Sequence, residues 1–438
     1  MKGHRRPRLS ASVSRHLLPL LLGPLLSLFI VSLGNGFIAS LSTLRLDAAG
    51  VPAHLIGVVS SAYFIGLTLG AVSCDRLIGR IGHIRAFSGF ASLTAASFLL
   101  HCMVFDPTAW TVFRLVNGWA TLGIFLVVES WLLLAGDQKT RGRLLALYMI
   151  AFYGAGMLGQ AALGRLHAGG DTVPFMVAGM LAALSVLPIV IVPRIAPAAE
   201  RTEPLRLLRL LRMSPTGVVG CFGSGIAIAA VYTLLPLYLQ RVGMDVGQVG
   251  ELMACVILGA VVLQYPIGRW SDRRDRRAVL AALSGYCALL SLFVLALPDH
   301  QTVLVVLLFL LGGGVFAVYP VAVSHAADQA PAGALVGTIQ GLLLINSIGS
   351  AISPLAISPL MAQAGEQGLF WAFLVLNAGL AALFLRRHKV RPEPAPVAPF
   401  VPTTQMSPAG AQMRVTQELL QGALAREHAQ DRADAAAP

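Results

Sequence analysis

The sequence predicts an all-α polytopic membrane protein of twelve transmembrane helices, arranged as two related bundles of six. Three observations predict it. Hydrophobic residues fill 56% of the 438 positions and charged residues only 12%. Apolar stretches of membrane-spanning length recur along the whole chain. Glycines and charged residues of the first half reappear in the second at a nearly constant separation.

A water-soluble domain of this size needs far more charge to cover its surface, so a mean hydropathy of +0.75 places the chain in lipid. A net charge of +12 could point to nucleic acid. The basic residues instead avoid the apolar segments and gather in alternate gaps between them, so nucleic acid is not an expected partner. Cys74, Cys102, Cys221, Cys255 and Cys287 lie in apolar runs, no two of them at CxxC or metal-ligand spacing. They read as small hydrophobes between helices, with no disulfide, metal or cofactor implied.

A spanning helix needs roughly 20 predominantly apolar residues. Such segments fall at 17–44, 53–74, 84–105, 108–135, 142–166 and 172–193, then at 214–240, 246–267, 278–298, 302–326, 334–362 and 368–385. The basic start with Lys2, Arg5, Arg6, Arg8 and Arg15 imitates a signal peptide, but the apolar run after it is too long for one and reads as an uncleaved first helix. With the N-terminus inside, cytoplasmic segments hold 28 of the 32 Lys and Arg residues. Outer loops hold Arg45, Arg165 and Arg241, and Arg114 lies within a span. This asymmetry places both termini in the cytoplasm. Abundant Arg, Ala, Gly and Leu suit a GC-rich bacterial genome, hence a bacterial inner membrane.

The resulting organisation is a cytoplasmic N-terminus (1–16), a first bundle (17–193), a cytoplasmic linker (194–213), a second bundle (214–385) and a cytoplasmic, mostly disordered tail (386–438). Within the linker, LRLLRLLR at 205–212 is amphipathic, suited either to the membrane surface or to an ordinary basic loop. A short helix over 411–428 fits the tail.

The repeat is direct. A shift of 193 residues sets Gly50, Gly57, Gly66 and Arg80 on Gly243, Gly250, Gly259 and Arg273. A shift of 191 sets Gly123, Phe125, Asp137, Gln138 and Gly142 on Gly314, Phe316, Asp328, Gln329 and Gly333. Parallel repeats of this kind enclose a shared cavity near the membrane midplane and suit alternating access.

After the eighth span the chain reads Gly268-Arg-Trp-Ser-Asp272-Arg273-Arg-Asp275-Arg276-Arg277. This resembles the G-x-x-x-D-[RK]-x-G-[RK]-[RK] loop of the major facilitator superfamily, with Asp275 in place of its last glycine. The first-half counterpart, from Asp75 through Gly79 and Arg80 to Gly82 and His83, departs further. Arg114-Leu-Val-Asn-Gly118 is similar to the family's R-x-x-x-G element. A closer resemblance, to the YcaD-like branch of the family, rests on GVVSSAYFIG (57–66), VVES (127–130), RGRLLALYM (141–149), Gly159-Gln160, LPLYL (235–239), PIGRWSDR (266–273) and YPVAV (319–323). The resemblance implies the major facilitator fold and secondary transport. It also implies that Asp272 faces the amino end of the fifth span, near Arg141. There a carboxylate would meet a helix dipole and unpaired N–H groups, and Gly268, Asp272, Arg273, Arg276 and Arg277, with Asp75 and Arg80 in the first half, would form a cytoplasmic latch. The fifth span lacks the G-P pair typical of the superfamily's drug–proton antiporters.

Charged groups inside spans are costly and usually face a cavity or a partner. Arg114 is the deepest cation, suited to a substrate or proton contact or to snorkelling. Glu129 is the deepest acid, suited to proton exchange or to an ion pair with Arg141 or Arg143. The two are 15 residues apart, about 22 Å along one helix, so they are not a direct pair. Asn35, Tyr63, Gln160, Tyr232, Gln340 and Asn346 could each contact a ligand or tie helices together. The expected function is secondary transport of a small molecule, coupled to protons, by a monomer in lipid. The alternative is a transporter-like sensor that binds without translocating. An enzyme is disfavoured, because no nucleophile–base set or HExxH motif occurs in the spans.

Overall fold

The computed structural model describes residues 11–135, 141–191, 207–297, 301–330 and 335–390. Its first six spans are Ala11–Ala48, Ala53–Ile81, His83–Met103, Pro107–Ala135, Arg141–His167 and Val173–Val190. Spans 7 to 12 are Pro215–Thr233, Val246–Arg273, Arg276–Ala296, Gln301–Asp328, Leu335–Ala364 and Gly368–Val390. All twelve contain a stretch long and apolar enough to cross a membrane. Large apolar side chains such as Val72, Ile150, Leu187 and Val375 stand exposed, as lipid-facing positions require. The linker residues 194–206, the loop 136–140 and the suggested tail helix over 411–428 lie outside the described residues.

Two spans are not single helices. Span 6 breaks at Ser185 before the piece Val186–Val190, which contains Pro188. Span 7 stops at Thr233 and resumes as Leu235–Arg241, with Pro236 in its first turn. Proline has no N–H to bond back four residues and its ring crowds that carbonyl, so position 236 cannot donate to Tyr232. Of the amphipathic linker, Leu207–Met213 is helical, and Leu210 is buried in the second-half core, so one face of this helix lies against protein.

At the starts of spans 4 and 8, carboxylates satisfy orphan N–H groups. Asp245 accepts from the backbone of Gly247 and Gln248, and the Gln248 side chain accepts from Asp245 N–H in return, closing a capping box at the start of span 8. Asp106 does the same work for span 4, accepting from Ala109 N–H.

The packing obeys the repeat. In the first half span 2 packs on span 4, span 1 on span 5, and span 3 on spans 4 and 6. In the second half, span 8 packs on 10, 7 on 11, and 9 on 10 and 12. Each pairing is the first set moved six spans along. The halves meet chiefly through span 2 against span 11 and span 5 against span 8, two contacts that the repeat exchanges.

Twelve crossings return the chain to its starting side, so both described termini share one end, the terminal end. Opposite it, at the far end, backbone of one half meets glycines of the other. A Cβ on Gly57 would collide with Ser358 and the Pro354 carbonyl, and one on its repeat partner Gly250 with the Gln160 carbonyl. Glycine is needed at both because backbone of the other half occupies the side-chain space. Arg241 adds an ion pair to Asp47 across the same end, 2.8 Å long.

Candidate functional site

Between the halves lies an open cavity with about 610 Å³ of space not filled by atoms, its open mouth included. Ser32, Asn35, Gly36 and Ala39 of span 1, Tyr63 and Phe64 of span 2, and Arg114 of span 4 form one wall. Phe152, Tyr153 and Gly156 of span 5 form another, and Tyr232 of span 7 and Ile257 of span 8 close it from the second half. Small residues on span 1 and Gly156 on span 5 leave the space, and aromatic rings shape it.

Arg114 sits seven residues into span 4, about 10 Å from its far end, and is only 2% exposed. Its guanidinium lies over the Tyr63 ring, 4.6 Å from the centroid, a cation–π contact of about 0.5–2 kcal/mol. Asn35 donates to the Tyr63 hydroxyl at 3.4 Å, orienting that ring. Among the described residues Arg114 has neither an ion-pair nor a hydrogen-bond partner, and its Nε and the Asn35 Oδ1 are both buried without one. Four of the residues singled out from sequence, Asn35, Tyr63, Arg114 and Tyr232, thus share one cavity.

The other four are elsewhere. Gln160 donates to the Gly36 carbonyl and the Ser40 hydroxyl at 2.9 and 2.8 Å, tying span 5 to span 1. Asn346 donates to the Cys221 carbonyl and the Ser224 hydroxyl, both at 3.0 Å, tying span 11 to span 7. Gln340 is half-buried near the start of span 11. Glu129, 2% exposed, accepts from the Tyr148 hydroxyl of span 5 at 3.1 Å, and Tyr319 of span 10 lies within Coulombic range of it.

At the terminal end the loop after span 8 builds a cluster. Arg276, 1% exposed, reaches Asp328 at the end of span 10 at 2.8 Å and Asp272 at 3.5 Å. Asp275, in place of the family's glycine, caps span 9 by accepting from Arg277 N–H at 2.8 Å, and pairs with His388 of span 12 at 2.7 Å. Gly268 is buried in span 8 and Arg273 exposed. In the first half Asp75 and Arg80 are exposed and make no ion pair among the described residues. The side chain of Arg141, the expected counterpart of Asp272, lies outside the described residues.

Sequence reasoning passed over the aromatic wall of Phe64, Phe152 and Tyr153. The available signal was weak: two aromatics just ahead of the glycine-dense stretch 154–159. It also passed over Asp328 as the partner of Arg276, although the repeat had already marked that residue.

Two six-helix halves sharing a cavity place the protein in the class of membrane transporters. The chain belongs to the major facilitator superfamily: the profile described as Major Facilitator Superfamily matches residues 25–343 and 239–425. An uncharacterised transporter of this type from Enterobacter sp. (strain 638) is 32% identical over 390 residues, covering 89% of this chain and 99% of that protein. The uncharacterised transporter YcaD of Salmonella enteritidis is 31% identical over 376 residues, covering 85% and 97%. Among solved structures, the nucleoside transporter NupG shares the fold with a TM-score of 0.70 at 14% identity, covering 85% of this chain and 100% of that one. A bacterial homologue of the human lysosomal transporter Spinster, inward-facing and occupied, does so with a TM-score of 0.69 at 15% identity, covering 89% and 100%.

Proposed function

We infer that this protein is a secondary active transporter of the bacterial inner membrane that moves a small molecule by alternating access, driven by protons. The observation that carries this reading is the cavity: both halves line it, and the halves are pinned together at the far end by the Gly57 and Gly250 contacts and the Asp47–Arg241 pair. A solute held there changes sides when the halves rock. The positive-inside distribution of Lys and Arg supports a cytoplasmic terminal end and an outward-facing far end.

Glu129 is the group that couples protons. It is buried in a span of the first half, accepts from Tyr148 and feels the field of Tyr319 of the second half, which supports a charge change there altering the fit of the halves. The Glu129→Gln protein in proteoliposomes should lose uptake driven by a pH gradient while retaining exchange of substrate across the membrane. Loss of both activities in a well-folded variant would reject this role. Saturable, protein-dependent flux of any solute supports the transport reading. Ligand binding with no counterflow rejects it in favour of a sensor.

A further inference from the structure

We propose that the cavity takes an organic monoanion, a carboxylate on an aromatic or otherwise apolar body, with Arg114 as the group that binds its charge. The inference deepens the transport reading and rests on it for the cavity being a substrate site.

A buried cation without a counter-charge is among the least tolerable features of a low-dielectric interior. Arg114 is 2% exposed, yet no carboxylate pairs with it among the described residues and no acidic residue lines the cavity. The acid on its own helix, Glu129, is 15 residues away, about 22 Å, and is held by Tyr148. The Tyr63 ring offsets only part of the charge. What completes the site must therefore come from whatever fills the cavity, and it must be negative.

The head group follows from the donors. A guanidinium presents a planar fork that matches the two oxygens of a carboxylate. Beside it, the Asn35 Oδ1 is buried and has no donor, so it can accept from a hydroxyl or N–H next to the carboxylate. Among the described residues one cation lines the cavity, which balances one negative charge, whereas a dianion would bring a second with none of them to meet it. The body follows from the opposite wall, where Phe152, Tyr153, Tyr232 and Ile257 offer rings and an aliphatic side chain. Chloride could neutralise the arginine equally well, but it would leave that wall without a role.

The test uses the full-length protein in lipid nanodiscs. Benzoate, 3-phenylpropionate, indole-3-acetate and octanoate are each compared with the corresponding neutral amide by calorimetry, in carboxylate-free sulfate buffer with and without chloride. At least one acid should bind about tenfold or more tightly than its amide, and Arg114→Gln should remove that difference. Arg114→Lys keeps the charge without the fork and should give an intermediate loss, which keeps the test sound if the glutamine variant fails to fold. Equal binding of acids and amides overturns the proposal, as does binding of chloride without any of the acids, or acid binding unchanged in both variants. Arg114-dependent acid binding without counterflow would leave this inference standing and reject the transport reading. Flux of an amide with no acid bound or carried would do the reverse.

Discussion

The loop between spans 2 and 3 and its repeat between spans 8 and 9 began as the same sequence, and they now do different work. In the first half the positions read Gly79, Gly82 and His83, and in the second Asp272, Asp275 and Arg276. Gly82 sits at φ 84, a left-handed turn that glycine adopts without strain, and enters span 3 with no side-chain cap. Asp275 sits at φ −55 and caps span 9 with its carboxylate. His83 is buried beside Trp131, whereas Arg276 joins spans 8, 9 and 10 through two carboxylates. The second half has thus concentrated its charge in a terminal-end cluster. The first half has instead placed most of the polar cavity wall, Ser32, Asn35, Tyr63 and Arg114, on its own spans. Duplication preserved the helix pairings and left the side chains free to specialise.

Three further experiments would break or sharpen this contrast. The largest effect should come from Arg276→Ala. It removes the buried guanidinium that reaches Asp328 and Asp272, and because both carboxylates keep some solvent contact the loss should be about 2 kcal/mol, below the 3–5 of a fully buried pair. The first-half counterpart His83→Gln should cost under about 1 kcal/mol. Melting temperatures in detergent compare them, and equal losses would end the claim that only one loop is a built cluster. Next come Gly57→Val and Gly250→Val. Each drives a side chain into the other half, so each should weaken the far-end seal and raise labelling from the outside of a cysteine introduced at the cavity wall, Ser32→Cys, several-fold. A response from one variant alone would show that the two exchanged contacts are unequal. Smallest is Asp272→Asn. If Asp272 is a latch, this change should shift the resting population toward the inward-open form, seen as a two- to threefold rise in cytoplasmic cysteine labelling (about 0.5 kcal/mol). Unchanged labelling would limit Asp272 to partnering Arg276.

Much of the fold was legible because each span satisfies its own backbone hydrogen bonds and meets lipid segment by segment. Hydropathy along the chain therefore located the twelve crossings from Ala11 to Val390. The breaks at Ser185 and Leu234 were harder to see, since prolines at 266, 320, 354 and 359 lie within continuous helices. A proline's effect depends on whether neighbouring helices support the freed carbonyl, which no local pattern records.

The candidate site divides in the same way. Residue type and position within a span were enough to mark Arg114 and Glu129 as costly and Asn35, Gln160 and Asn346 as needing partners. Which of them find those partners inside the protein depends on how the helices pack. Gln160 and Asn346 commit their amide N–H groups to the carbonyls of Gly36 and Cys221, and although Gln160 Oε1 is left buried without a donor as Asn35 Oδ1 is, only Asn35 and Arg114 line the cavity. The physical reason is that satisfaction of a polar group depends on the rotation and approach of two helices at once, a property of pairs of spans that no single span encodes.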